Sequence, residues 1–123
     1  MRAVVVDELG APESLVVREV ASPALGPTDV RISVRAAGCN FSDILMMKGE
    51  YQVKPPLPFI PGGEVGGVVL EVGAQVKTLT PGDRVLSRCA LGGYAEEVVA
   101  PAATTLRLPE ALSFAAGAAL STV

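Results

Sequence analysis

The sequence predicts a mainly β fold with short helices, of the barrel kind. Three observations lead there: short β-rich runs separated by turn chemistry, one helical interruption among them, and a proline-rich segment that is not helical. Half of the 123 residues are hydrophobic and 19% are charged, which suits one folded domain around a single core.

The first β-rich runs are Ala3 to Val6, Leu15 to Val20 and Asp29 to Ala37. In the third, Val30, Ile32 and Val34 alternate with Arg31, Ser33 and Arg35, the period of a strand with one buried face. Phe41 to Lys48 has no such alternation. It lies between Asn40, a candidate N-cap, and Gly49, a candidate residue just past the C-cap, so it is predicted as a helix. Four prolines between Pro55 and Pro61 then hold the chain extended or turning, and Gly62-Gly63 permits close backbone approach. Further strands are predicted at Val65 to Val72, Arg84 to Arg88 and Tyr94 to Ala100, with Pro81-Gly82 suited to the centre of a type II turn. The last segment opens with Ser113 as a candidate cap and continues as an apolar run of small residues. Phe114, Leu120 and Val123 in that run are expected to be exposed on this chain alone.

A net charge of −3 with no clustering of Lys and Arg opposes a nucleic-acid partner. Nowhere do about 18 apolar residues run together, so no membrane helix is expected. Cys39 and Cys89 stand 50 positions apart with no disulfide framework, which fits a reducing cytoplasm. The chain has no histidine, and this removes the Ser-His-Asp and Cys-His arrangements together with the commonest catalytic zinc ligand.

Three stretches in order, AAGCNFSDILMMKGEY, PFIPGGEVGGVVLEVGAQV and PGDRVLSRCALGGYAEEVVA, resemble the amino-terminal part of the medium-chain dehydrogenase/reductase superfamily, and LPEALSFAAGAAL extends the likeness to nearly the whole chain. Zinc alcohol dehydrogenases of that superfamily carry Cys where this chain has Asn40 and His where it has Gly63. They also carry a four-cysteine loop where it has only Cys89. These departures resemble the zinc-free quinone-oxidoreductase branch, zeta-crystallin-like proteins included, whose pattern is supplied here by Gly38, Asn40, Asp43 and Tyr51. The resemblance implies a GroES-like, partly closed β-barrel over residues 1–112. It further implies that residues 113–123 begin an interdomain helix leading to a nucleotide-binding Rossmann domain outside this sequence. No Gly-x-Gly-x-x-Gly fingerprint between a strand and a helix is found within it.

By the same resemblance the complete enzyme passes a hydride from NADPH to a quinone or another conjugated carbonyl without zinc, and is a homodimer. Asn40 and Tyr51 are then the catalytic candidates, and Asn40, Asp43 and Tyr51 the cofactor-binding ones. Beside these roles stand plainer ones: Asn40 as a helix cap, Asp43 as a carboxylate reaching back to that cap, and Tyr51 as an anchoring aromatic. Glu64 reads as structural, since no His or Cys accompanies it, and Asp83 and Arg84 read as closing a turn. Cys39 reads as either a small hydrophobe or a reactive thiol. An enoyl-thioester reductase of the same superfamily and a non-catalytic binding or scaffolding barrel are the alternative functions. The chain alone is expected to fold and to lack activity.

Overall fold

The computed structural model describes residues 1–120. Among the described residues seven strands form two sheets. β1 (Arg2–Val5) and β2 (Val16–Glu19) make an antiparallel ribbon, joined through a single helical turn at Pro12–Ser14. The main sheet is antiparallel in the order β6-β3-β4-β5-β7, with β3 (Asp29–Ala37), β4 (Glu64–Val72), β5 (Arg84–Arg88), β6 (Glu97–Pro101) and β7 (Thr105–Arg107). Its edges β6 and β7 are joined by only three residues, Ala102–Thr104, so the sheet curls back towards itself without a ladder to close it. Two register irregularities, at Arg31/Ile32 and Val34/Ala36, fall in the β3–β4 pair, where bulges bend a strand and increase its twist. This is the partly closed barrel that the family resemblance implies.

The inward positions of the curled sheet make the main core: Val30 and Ile32 of β3, Val65 and Val69 of β4, Val85 of β5, Val98 and Ala100 of β6, closed by Leu79 and Cys89. Ser87 and Thr105 are buried with their hydroxyls hydrogen-bonded to each other at 2.7 Å, so neither is left unpaired in the interior. Two glycines let backbones meet. A methyl on Gly67 would overlap the Ser33 carbonyl of β3, and one on Gly66 would overlap the Phe114 carbonyl.

α1 (Phe41–Lys48) crosses from β3 towards the proline segment and buries Met46 and Met47 against Val6 and Phe59 in a second, smaller cluster. Its predicted ends are the observed ones. The turn at Thr80 to Asp83 also forms as expected, with Gly82 at φ +94° and Asp83 N–H donating to the Thr80 carbonyl at 3.1 Å. Asp83 pairs with Arg107 at 3.2 Å, whereas Arg84 reaches away to the carbonyls of Pro109 and Leu112.

Three expectations are corrected. β7 was not predicted, since Thr105–Arg107 is too short to show a period. The strand expected from Tyr94 begins at Glu97, because Ala95 makes only an isolated bridge to Ala3 and Tyr94 belongs to the preceding loop. α2 (Phe114–Leu120) lies docked across β3, β4 and β5 with Gly117 and Ala118 buried. Phe114 is accordingly half-buried, with the Arg84 guanidinium 4.6 Å from its ring centroid, while Leu120 is exposed as expected. Val123 lies outside the described residues. No helix among the described residues is long and apolar enough to cross a membrane.

Candidate active site

The chain leaves β3 through Gly38, Cys39 and Asn40 and enters α1 at once. Asn40 is extended, with φ −125° and ψ 158°, and forms a capping box with Asp43: the Asp43 carboxylate accepts the Asn40 backbone N–H at 2.9 Å. At the other end Gly49 takes a left-handed conformation, φ 73°. Its N–H donates to Met46 while Glu50 N–H donates to Leu45, the paired bonds of a Schellman motif. Both helix ends are thus fixed by local hydrogen bonds, and Tyr51 follows Gly49 by two residues.

Asn40, Asp43 and Tyr51 line one cleft of about 610 Å³. Met46 and Val53 give it apolar lining, and Gly63, the Cys89–Leu91 turn, Arg88 and Thr104 also line it. The three residues singled out from sequence are therefore brought together by α1 and the loop behind it. Each also keeps its plainer role: Asn40 and Asp43 cap the helix, and the ring of Tyr51 packs on the Met46–Phe59 cluster.

Two further residues stand behind the lining of this cleft and bond to residues that form it. Glu64, only 4% exposed, accepts a hydrogen bond from the Asn40 side-chain amide at 2.9 Å. That bond takes one of the two N–H groups of the amide and leaves the other for a ligand. A methyl at Gly38 would overlap the Glu64 carboxylate, so the glycine two residues before Asn40 makes room for its partner. Tyr94 donates its hydroxyl to Asp43 at 2.9 Å. Burial first, then hydrogen bonding to Cys39 and Asp43, raises the titration of Tyr94 far above the usual phenol range, so it remains a donor. Neither residue carried a signal of its own. Glu64 lacks a neighbouring His or Cys, and Tyr94 begins an apparent strand run. The glycines at 38 and 62 were the readable hint, because both are spaces for these side chains.

Burial also pushes the Cys89 thiol up to about 11, with the Asp43 and Glu64 charges adding to the effect, and its Sγ donates to the Gly62 carbonyl at 3.4 Å. Burial thus favours the protonated thiol over the thiolate. Cys39 is exposed. Among the described residues no group of three or more His, Cys, Asp or Glu is placed to hold a metal ion. Asn40 and Gly63 offer the cleft an amide and an open backbone position, where a side-chain Cβ would make only ordinary contact with Ala90.

Comparison with known proteins gives the family and the fold. Residues 26–110 match the family model of the alcohol dehydrogenase GroES-like domain. The chain is 49% identical to quinone oxidoreductase-like protein 2 homolog of Nematostella vectensis, over 98% of the chain and 33% of that protein. Among solved structures it superposes on the human synaptic vesicle membrane protein VAT-1 homolog-like protein with a TM-score of 0.94 at 33% identity, covering 98% of the chain and 38% of that one. The Escherichia coli quinone oxidoreductase complexed with NADPH gives a TM-score of 0.91 at 32% identity, over 98% and 37%. The chain thus spans about a third of the length of the relatives it matches. It belongs to the alcohol dehydrogenase GroES-like domain family, within the quinone-oxidoreductase branch of the medium-chain dehydrogenase/reductase superfamily.

Proposed function

We propose that this chain is the substrate-side domain of a longer, cytoplasmic enzyme that reduces quinones with NADPH and needs no zinc. The observation that carries the reading is the convergence of Asn40, Asp43 and Tyr51 on one cleft in a chain of the quinone-oxidoreductase branch. A cleft with apolar walls and a few polar groups at its floor is the usual form of a small-molecule site. It fits the flat amide-bearing ring of a nicotinamide, with the remaining Asn40 N–H and the Tyr51 hydroxyl as donors. NADPH, when bound, supplies the hydride. The protein's own groups do the rest. Asn40 presents a fixed donor, because its other N–H is held by Glu64 and its backbone by Asp43. Tyr51 covers the cleft and keeps water out. Donors preset in this way stabilise negative charge growing on the acceptor oxygen. The nucleotide's phosphates are held by a second domain, which residues 113–123 lead towards.

The test is steady-state kinetics of the full-length enzyme with NADPH and a simple benzoquinone. Asn40→Ala and Tyr51→Phe are expected to lower kcat/KM by about tenfold or more, the loss of one preset donor. Wild-type constants in both variants would return these residues to helix capping and core packing.

A further inference from the structure

Behind the cleft wall four polar residues are joined in series. The Tyr94 hydroxyl donates to Asp43 Oδ2 at 2.9 Å, the same oxygen accepts the Asn40 backbone N–H at 2.9 Å, and Asn40 Nδ2 donates to Glu64 Oε1 at 2.9 Å. Asp43 and Glu64 are buried, and Tyr94 is not among the residues lining the cleft. Its hydroxyl therefore acts on a ligand indirectly, through Asp43, with Cys39 as its other polar neighbour. Tyr94 is itself held on three sides. Its N–H donates to the Pro61 carbonyl at 3.0 Å, its carbonyl accepts Val4 N–H at 2.8 Å, and its ring fills the space over Gly62. At Gly62 a methyl would come within 2.6 Å of ring Cδ1, and the positive φ of +101° already favours glycine. The hydroxyl is thus presented from a frame made by β1 and the proline segment rather than by α1.

We propose that Tyr94 is a positioning residue of the site, fixing the Asp43 carboxylate and through it the Asn40 amide that faces the ligand. This rests on the reading of the cleft as the nicotinamide end of a reductase. A capping carboxylate left to itself can rotate away from its N–H. With a second donor on the same oxygen, aimed from a different element, Asp43 has one orientation, and the first turn of α1 is tied to the barrel. The ring's apolar contacts belong to the core, and phenylalanine keeps them. Only the hydroxyl's share is at issue.

A double-mutant cycle in the full-length enzyme separates the two. Tyr94→Phe is expected to lower kcat with NADPH and benzoquinone about tenfold, with the quinone KM within about twofold, as a misplaced rather than a missing donor does. In an Asn40→Ala background the same change should move kcat by less than about twofold, while lowering the melting temperature equally in both backgrounds. Asp43→Asn, which leaves Tyr94 untouched, should show the same loss of effect when Asn40 is absent. Full multiplication of the Tyr94→Phe and Asn40→Ala effects, or a wild-type kcat for Tyr94→Phe beside an impaired Asn40→Ala, overturns the positioning role alone. A wild-type kcat for Asn40→Ala overturns the reading of the cleft, and the role of Tyr94 with it.

Discussion

Cys89 and Tyr94 make the fold sensitive to alkali, since burial favours the neutral form of both. A Cys89 thiol ordinarily near 9.0 and held at about 11 in the fold keeps its proton where the unfolded chain has lost its own. Stability is then full below about pH 9 and falls as pH rises towards 11, by about 2 to 3 kcal/mol from this residue; Tyr94 acts in the same sense above its ordinary value of 10.0. Denaturant melts at about pH 8 and about pH 10.5 should show the loss, and Cys89→Ala should reduce it. A flat profile in the wild-type chain contradicts the burial of these groups. A disulfide reagent should modify Cys39 in the native state and Cys89 only on unfolding, because one is exposed and the other buried. At this scale the sequence was legible where residues carry a spaced pattern. Gly38, Asn40, Asp43 and Tyr51 were found because their intervals match a family's. Glu64 reads only as structural from sequence, because its partner, Asn40, is 24 residues away and no local pattern links them.

Elements were legible where sequence period and end signals agreed. α1 matches its predicted ends because Asn40, Asp43 and Gly49 are all local signals, and β3 because its alternation is long. β7 and the start of β6 depend on which neighbour is within reach across the barrel, which only the folded chain decides. Two glycines test the elements directly. Gly49→Ala should cost about 1 kcal/mol, since alanine is strained at a positive φ and its methyl would come within 2.8 Å of Leu9. Gly66→Ala should cost about 1 to 3 kcal/mol by driving a methyl into the Phe114 carbonyl and lifting α2 from β4. Urea denaturation gives both values, and limited proteolysis around Ser113 should accelerate only in the second. Equal protease resistance of Gly66→Ala and wild type would show that α2 is not held by this contact.

The whole chain is a curled sheet with its own core, and its cleft is lined by α1 and by the turn after β5. Residues 1–120 bury no side-chain polar atom without a partner, as expected of a well-packed interior. A mainly β barrel is readable from strand spacing and turns. The extent of closure is not, because it depends on bulges in β3 and on the three-residue link between the edge strands. The 123-residue chain is expected to unfold cooperatively and to show no NADPH-dependent quinone reduction, since it contains no strand-to-helix glycine fingerprint for the pyrophosphate. The most direct measurement of the proposed chemistry is NADPH oxidation by the full-length enzyme with benzoquinone after exhaustive chelation, with metal content determined on the same sample. The predicted result is an undiminished rate in metal-free protein that drops about tenfold or more in Asn40→Ala. A rate that vanishes on chelation and returns with zinc, or one that Asn40→Ala leaves unchanged, contradicts it.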